Sequence, residues 1–300
     1  MHVNPPFSHH EAFERNIGLI TEQELVQLAD KLVVIPGCGG VGGVHAQTLA
    51  RLGVGRFRLA DPDHFALANF NRQIGATMQT LGQNKAEVTA RMIWAINPDA
   101  DVTIFKKGVS EDNTSEFVAG ADLLVDGIDF FALPMRRVLF QEAWRRAIPA
   151  LTSAPLGFSG TLHVFTRPGM SFDDYFDLQD DQSPFEQFVN FLIGLAPAAL
   201  HAPYMDLTTV RPEDGRGPSS IIGVQLAASL AGAEAVRILL GRGPSMCVPH
   251  YLQFDAYRQK LRKGHLIGGN RNWLQRLKRH LAMKRFHEMQ WENAFAVSHS

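Results

Sequence analysis

The 300-residue sequence predicts an α/β fold: a mostly parallel sheet flanked by helices, followed by a basic C-terminal tail. Two observations predict the sheet. Short apolar runs of strand length alternate with stretches of helical periodicity, an order that favours parallel βαβ units over a sandwich or a bundle. A Gly-rich turn, Gly37-Cys38-Gly39-Gly40-Val41-Gly42-Gly43, follows directly on the first such run. The tail is predicted by charge. Arg258–Ser300 holds 10 Lys and Arg against 2 Asp and Glu, whereas Met1–Tyr257 holds 19 against 28.

The elements follow in order. Thr21–Asp30 reads as a helix capped by Thr21, with Glu24 as capping-box partner and Leu25 and Leu28 on the buried side. Lys31–Ile35 is a continuous apolar strand that runs into the Gly-rich turn, and His45–Leu52 carries a helical pattern onward. Phe57–Ala60 is the second strand, ending at Asp61. A helix over Lys85–Ile96 stops at Asn97-Pro98, because proline cannot continue it. Val102–Phe105 is a strand, Ala121–Asp126 a buried strand ending in acid, and Pro134–Arg146 a helix. Ala150–Ser153 and Gly160–Phe165 read as strands. Gly169–Arg216, rich in Asp, Pro and Phe, is the least regular stretch and is expected to form a lid or partner surface. Gly217–Ala233 carries no charge, and its Gly, Ser and Ala content suits a helix packed closely on a sheet. These patterns divide the chain into a main domain over 1–257 and a basic tail over 258–300, in which Trp273–Leu281 reads as an amphipathic basic helix. From Arg258 to Phe286 there is no acid, so the tail is expected to meet an acidic partner, an anionic membrane surface, or the acidic body of its own chain or dimer mate.

Composition excludes several classes. At 45 % apolar and 20 % charged residues, the chain has the material of a globular core. Two cysteines, Cys38 and Cys247, exclude a disulfide framework and a four-cysteine zinc site, and suggest a reducing, cytoplasmic setting. Met1–Pro6 has neither a basic stretch nor an apolar run, which argues against a targeting leader. The longest uncharged run, Gln187–Met205, contains Asn190, Pro197, His201 and Pro203, whereas a membrane span needs about 20 mostly apolar positions.

Gly37, Gly39 and Gly42 match G-x-G-x-x-G. Such glycines permit the strand-to-helix bend and let a phosphate approach bare backbone at the positive end of a helix. Asp61, about twenty residues on, is placed to bind ribose hydroxyls, so the motif predicts a Rossmann-like nucleotide-binding core without distinguishing NAD from ATP. Arg72 and Lys85 fall just past the nucleotide edge of the sheet, where two fixed cations suit a triphosphate. Asp129, at the end of a later strand, is a candidate Mg²⁺ ligand.

These residues resemble the motifs of the ThiF/MoeB-type adenylyltransferases, bacterial relatives of ubiquitin-activating enzymes. Glu14-Arg15-Asn16 is similar to the family's Ser-Arg-Gln element, Gly37–Gly42 to its phosphate loop, and Asn69-Phe70-Asn71-Arg72-Gln73 to its Asn-x-x-Arg-Gln. Lys85 resembles its Gly-x-x-Lys and Asp126-Gly127-Ile128-Asp129 its Asp-x-x-Asp, while Ile222–Gly241 resembles its late helix. The resemblance implies ATP-dependent conversion of a carboxylate to an acyl-adenylate, the acid being a ubiquitin-like protein tail, a peptide or a small molecule. It implies that Gly39 and Gly40 approach the phosphates, that Asp61 holds the ribose, and that Asn69, Arg72 and Lys85 bind the phosphate chain, with Asp63 and Gln73 also in the nucleotide site. Asp129 would hold Mg²⁺, and Arg15 would reach the phosphates from the partner subunit of a homodimer.

Three departures shape the expectation. Where relatives place zinc-binding Cys-x-x-Cys pairs, this chain reads Gly169–Asp177 and Met246-Cys247-Val248-Pro249-His250, so no structural zinc is expected. Asp173, Asp174 and Asp177 suit a solvated acidic loop better than a cation site. Neither Cys38 nor Cys247 sits in a motif for thioester chemistry, so transfer to an external nucleophile is expected. Phe130 stands where the family has Asn, and the gap to Arg136 and Arg137 is longer. His163 and His201 lack a second ligand at suitable spacing, and Ser153 and Ser159 lack a nucleophile elbow. The Phe-rich Phe185–Leu195 reads as packing or interface, with an acyl substrate or apolar partner as the functional alternative. Two other functions compete: a nucleotide-binding scaffold without catalysis, and an NAD(P)-dependent oxidoreductase, which leaves Arg15, Arg72 and Lys85 without a role.

Overall fold

The computed structural model describes residues 6–242 and 246–296, so the Met1–Pro5 part of the N-terminal stretch lies outside it. Nine strands form one sheet: β1 (Leu32–Pro36), β2 (Arg56–Ala60), β3 (Asp101–Phe105), β4 (Leu123–Asp126), β5 (Ala150–Thr152), β6 (Pro155–Leu156), β7 (Ser159–Phe165), β8 (His250–Asp255) and β9 (Lys260–His265). Their order is β3-β2-β1-β4-β5-β7-β8-β9, with β6 pairing β7 at the side. The first five strands are parallel, as the alternating pattern predicts. From β7 onward the pairing is antiparallel. The sequence reading ended its strands at Phe165 and missed β8 and β9, whose polar, Lys-rich outer strand lacks the apolar run that marks β1.

Every residue of β1 is buried because helices cover both faces of the parallel half. Val33 and Ile35 point into a core shared with Leu25, Leu28, Leu49 and Ile93. Val34 joins the opposite core with Phe117, Leu139 and Phe140. Chain direction diverges between β1 and β4: β1 leads through the helix Gly40–Arg51 to β2 on one side, while β4 lies on the other. Such a point opens a crevice at the carboxyl ends of the strands, where α/β sheets bind ligands.

The small-residue helix spans Ile221–Leu239 and packs as its composition predicts. A Cβ on Gly160 of β7 would lie 2.9 Å from the Ala227 nitrogen, and Ser153 Oγ donates to the Ala227 carbonyl at 2.8 Å. Among the described residues this helix alone is long and apolar enough to cross a membrane; Val224, Ala227, Ala228, Ala231 and Ala235 are nevertheless buried in the core.

The stretch 169–216 is more regular than expected. It contains the helices Phe172–Phe176 and Pro184–Leu195, and Phe172, Tyr175 and Phe176 are fully buried in the second core. The missed signal is Ser183-Pro184-Phe185-Glu186, a capping box with proline in the first turn. Several acids of this stretch are paired with basic side chains, among them Asp173 with Arg137, Asp174 with Arg271, and Asp177 with Arg279.

The basic tail is built into the molecule. The change of charge at Arg258 falls in the turn between β8 and β9, so it does not coincide with a structural boundary. The helix Trp273–Glu288 extends the expected Trp273–Leu281 and lies on Pro184–Leu195, with Gln275 Nε2 donating to the Ile193 carbonyl at 3.2 Å and Lys278 Nζ to the Pro197 carbonyl at 2.6 Å.

Candidate nucleotide site

Two kinds of glycine make the turn after β1. Gly37 has φ of +85°, and a Cβ there would lie 2.1 Å from the Gly127 carbonyl oxygen. A Cβ on Gly42 would meet the Gly37 oxygen at 1.8 Å, and one on Gly127 would meet it at 2.3 Å. Gly37, Gly42 and Gly127 therefore interlock backbone to backbone, fastening the turn to the loop after β4. Gly127 is a member of this set that the sequence reading did not single out. Its signal is the glycine directly after an acid-terminated strand.

Gly39 and Gly40 are different. A Cβ on Gly39 would meet nothing nearer than Gln73 Nε2 at 3.5 Å, and one on Gly40 nothing nearer than Val224 Cγ2 at 3.5 Å. A side chain at either position would make only ordinary van der Waals contacts, so neither glycine is required by packing. The helix starts at Gly40 rather than at His45 as the apolar pattern implied, and Gly39 offers it no side-chain cap. The first-turn N–H groups and the positive helix end thus point out at the switch crevice. Buried Gln73 adds an Oε1 with no partner.

Asp61 holds this turn in place. Its Oδ2 accepts the Cys38 N–H at 2.7 Å and its Oδ1 accepts the Asp63 N–H at 2.9 Å, while burial pushes its pKa up. Neighbouring Asp63 is more exposed and accepts Lys85 Nζ at 2.9 Å. Lys85 opens the helix Lys85–Trp94, and Asn84 caps that helix while donating to the Asp61 carbonyl at 2.9 Å. The ammonium is thereby presented from a buried stem.

Asn69 accepts the Ala66 N–H at 2.9 Å and closes a 3₁₀ turn. Arg72 Nη1 donates to the Ala68 carbonyl and to Asn71 Oδ1, and among the described residues Arg72 forms no ion pair. Its Cγ lies 3.9 Å from where a Gly40 Cβ would be, so its side chain passes beside the cradle. Asn71 Nδ2 donates to the Ser219 carbonyl, tying this turn to the start of Ile221–Leu239.

Across the crevice, Asp129 is exposed on the loop after β4. Its Oδ1 accepts the Phe131 N–H at 3.0 Å. The donor set suits Mg²⁺, which takes one or two carboxylates together with phosphate oxygens and water. Among the described residues no three His, Cys, Asp or Glu side chains gather as a metal cluster.

Arg136 is the residue the sequence reading left without a role. Its Nε donates to Asp126 Oδ2 at 2.9 Å, and its Nη2 donates to the carbonyls of Ile128 at 2.6 Å and Asp129 at 3.1 Å. Thr152 Oγ1 donates to the same Asp126 oxygen at 2.7 Å. This buried pair fixes the backbone that carries Asp129. Phe130 packs against Phe131, Phe188 and Phe191 with ring centroids 5.4–5.5 Å apart, so the Phe-rich helix abuts the loop that carries Asp129.

Arg15 is not brought together with the rest. Asn16 donates to the Arg51 carbonyl and His9 bonds the Gly53 carbonyl, placing this element at the far end of Gly40–Arg51, about 18 Å along a twelve-residue helix. Cys38 is buried, and burial together with nearby Asp61 raises its thiol pKa far above the ordinary range.

Residues 13–272 match the ThiF family. The chain belongs to the ThiF family. The resemblance read from five short motifs is thus borne out over most of the chain. Among ThiF relatives, the tRNA threonylcarbamoyladenosine dehydratase of Bacillus subtilis is 35 % identical over 142 residues, covering 47 % of this chain and 55 % of that protein. The present chain therefore matches about half the length of that relative. The sulfur carrier protein adenylyltransferase of Thermus thermophilus is 29 % identical over 237 residues, 77 % of each chain. The crystal structure of Escherichia coli MccB with ATP superposes with a TM-score of 0.62 at 17 % identity, over 82 % of this chain and 66 % of that one, a likeness of fold.

Proposed function

We propose that the protein is an ATP-dependent adenylyltransferase that activates a carboxylate. The observation that carries the reading is the cradle: bare Gly39 and Gly40 at a helix N-terminus, beside the unpartnered Gln73 Oε1 and the side chain of Arg72. A carboxylate oxygen attacks the α-phosphorus of ATP, the bond from that phosphorus to the pyrophosphate oxygen breaks, and acyl-adenylate and pyrophosphate result. Catalysis of this kind rests on positioning and charge neutralisation. The cradle N–H groups, Arg72 and Lys85 offset the charge that moves onto pyrophosphate. Asp63 and Asn69 lie on the segment that faces the nucleoside, with Asp61 holding that segment to the turn. Asp129 would hold Mg²⁺, which would supply further neutralisation of the phosphates.

The acid is the C-terminus of a ubiquitin-like protein or peptide, or a small carboxylate, in keeping with a relative named for a sulfur carrier protein. The activated acyl group passes to an external amine or sulfur nucleophile without an enzyme thioester, a reading supported by the burial of Cys38. The working unit is a homodimer in which Arg15 serves the other subunit's site. Its exposure and its distance from the cradle of its own chain support that arrangement.

Pyrophosphate exchange into ATP with candidate acids tests the proposal. Arg72→Ala and Asp129→Ala are each expected to lower exchange by about 100-fold or more. ATP binding without exchange, for every class of acid, identifies a scaffold instead, and preference for NADH overturns the reading. Mixed Arg15→Ala and Asp129→Ala subunits are expected to recover part of the activity, because one site in a mixed dimer is intact.

A further inference from the structure

The helix Trp273–Glu288 has two apolar faces, and only one is used. Gln275 and Phe286 are buried, and Ala282 and Met283 join the cluster of Phe185 and Phe188. On the other side Trp273, Leu274, Leu277 and Leu281 are 71 %, 46 %, 51 % and 57 % exposed. Leu274, Leu277 and Leu281 recur at i, i+3 and i+7, so they form one stripe along the helix, with Trp273 at its start. Ile267, 69 % exposed, precedes it.

Cations border the stripe. Arg276, Lys284 and Arg285 are exposed and form no ion pair among the described residues. A groove of about 440 Å³ opens beside Leu277, lined by Arg276, Arg279, His280, Met283 and a single acid, Glu186. No acid occurs in the sequence from Arg258 to Phe286, although the preceding residues carry an excess of acid. The positive charge is therefore gathered where the leucines are exposed.

Leucines bordered by unneutralised cations, with Trp at one end, match an anionic bilayer: the leucines leave water while the cations meet lipid phosphates. A nucleic acid would satisfy the cations and leave the three leucines in water. We propose that the outer face of Trp273–Glu288 docks the protein on an anionic lipid surface, with the groove at Arg276 and His280 receiving a lipid phosphate. The inner face of the same helix packs on Pro184–Leu195, whose Phe188 and Phe191 touch Phe130 beside Asp129, so docking sets the candidate active site close to the lipid.

The full chain is to be sedimented with vesicles of phosphatidylcholine alone and of phosphatidylcholine mixed with phosphatidylglycerol. Binding is expected only to the mixed vesicles and is expected to weaken as salt rises. The double variant Leu277→Glu/Leu281→Glu abolishes it, and Arg276→Gln/Lys284→Gln/Arg285→Gln weakens it by about tenfold or more. All five side chains are exposed, so both variants should keep the parent's thermal midpoint, which separates lost docking from lost folding. Equal binding to both vesicle types, no binding by the parent chain, or binding that survives the leucine changes overturns the proposal. So does a parent chain that ignores vesicles and retains RNA, or one in which the leucine changes alter only the oligomeric state.

Discussion

Glycine substitutions separate the two jobs combined in one turn. Gly42→Ala puts a Cβ 1.8 Å from a backbone oxygen that belongs to another interlocked residue, so it should destabilise by about 3 kcal/mol or more and give little soluble protein. Gly40→Ala meets only ordinary contacts at the start of a helix, where alanine is the better helix former by about 0.5–1 kcal/mol. It should fold with an unchanged or higher midpoint and lose ATP affinity, because the methyl group occupies the phosphate's approach. Thermal unfolding and ATP titration on the two variants check the contrast. Arg136 offers a similar dissection on the Asp129 side. Arg136→Gln leaves Asp126 charged, buried and without its cation, which should cost about 3–5 kcal/mol. Arg136→Lys retains the charge and cannot bond Asp126 and the Ile128 carbonyl with one planar fork, so it should raise the Mg²⁺ concentration needed for half-maximal exchange.

Elements read well from the sequence wherever a continuous apolar run or a capping motif marks them. The strand Leu32–Pro36 and the helix Glu22–Asp30, with its Thr21–Glu24 capping box, are cases in point. Helix Gly40–Arg51 was placed from His45 because its first turn is made of glycines, poor helix formers that are there to admit a ligand and a neighbouring backbone. The antiparallel end of the sheet escaped because exposure on β9 removes the hydrophobic pattern. Strand β7 carries a pH response of its own. His163 on β7 and His45 on Gly40–Arg51 are fully buried, and burial lowers each pKa from its ordinary value to about 3. Both are neutral in the fold, whereas the unfolded chain binds protons below about 6.5. Their contribution is complete above that value and is lost as pH falls toward 3, at about 1.4 kcal/mol per pH unit for each histidine. The thermal midpoint should therefore drop steeply from pH 6 to pH 4.5, and His163→Phe, set among Tyr175, Phe176 and Tyr251, should shallow that slope. A midpoint insensitive to acid would contradict this account.

For the molecule as a whole, a candidate site could be read because the residues assigned to it lie in short motifs near strand ends, the same motifs that carry the family resemblance. What it did not reveal were long-range partners: Arg136 on Asp126, Gly127 on Gly37, and the tail on the Phe-rich helix. Each depends on residues that the fold, not the sequence, makes adjacent. Charge marks residues 258–300 as a separate compositional unit, and the β8–β9 hairpin ties that unit to the sheet in a measurable way. Truncation after Tyr257 strips β9 from β8 and uncovers Phe185 and Phe188, so the product should bind a hydrophobic dye and aggregate. A soluble, monodisperse product with the parent's midpoint would show that the remaining chain folds unaided.

The three interlocked glycines also limit how this protein can change. Because Gly37 and Gly42 rest on Gly127, the Gly-rich turn and the loop bearing Asp129 form one frame, and neither edge of the crevice can be widened without separating β1 from β4. Under the proposed reading, room for a different acid must therefore come from elsewhere, and the Phe130–Phe191 contact, next to Asp129 in the chain, offers replaceable side chains. A selection for new substrates should collect its substitutions along Pro184–Leu195 and the helix that backs it, leaving the glycines untouched.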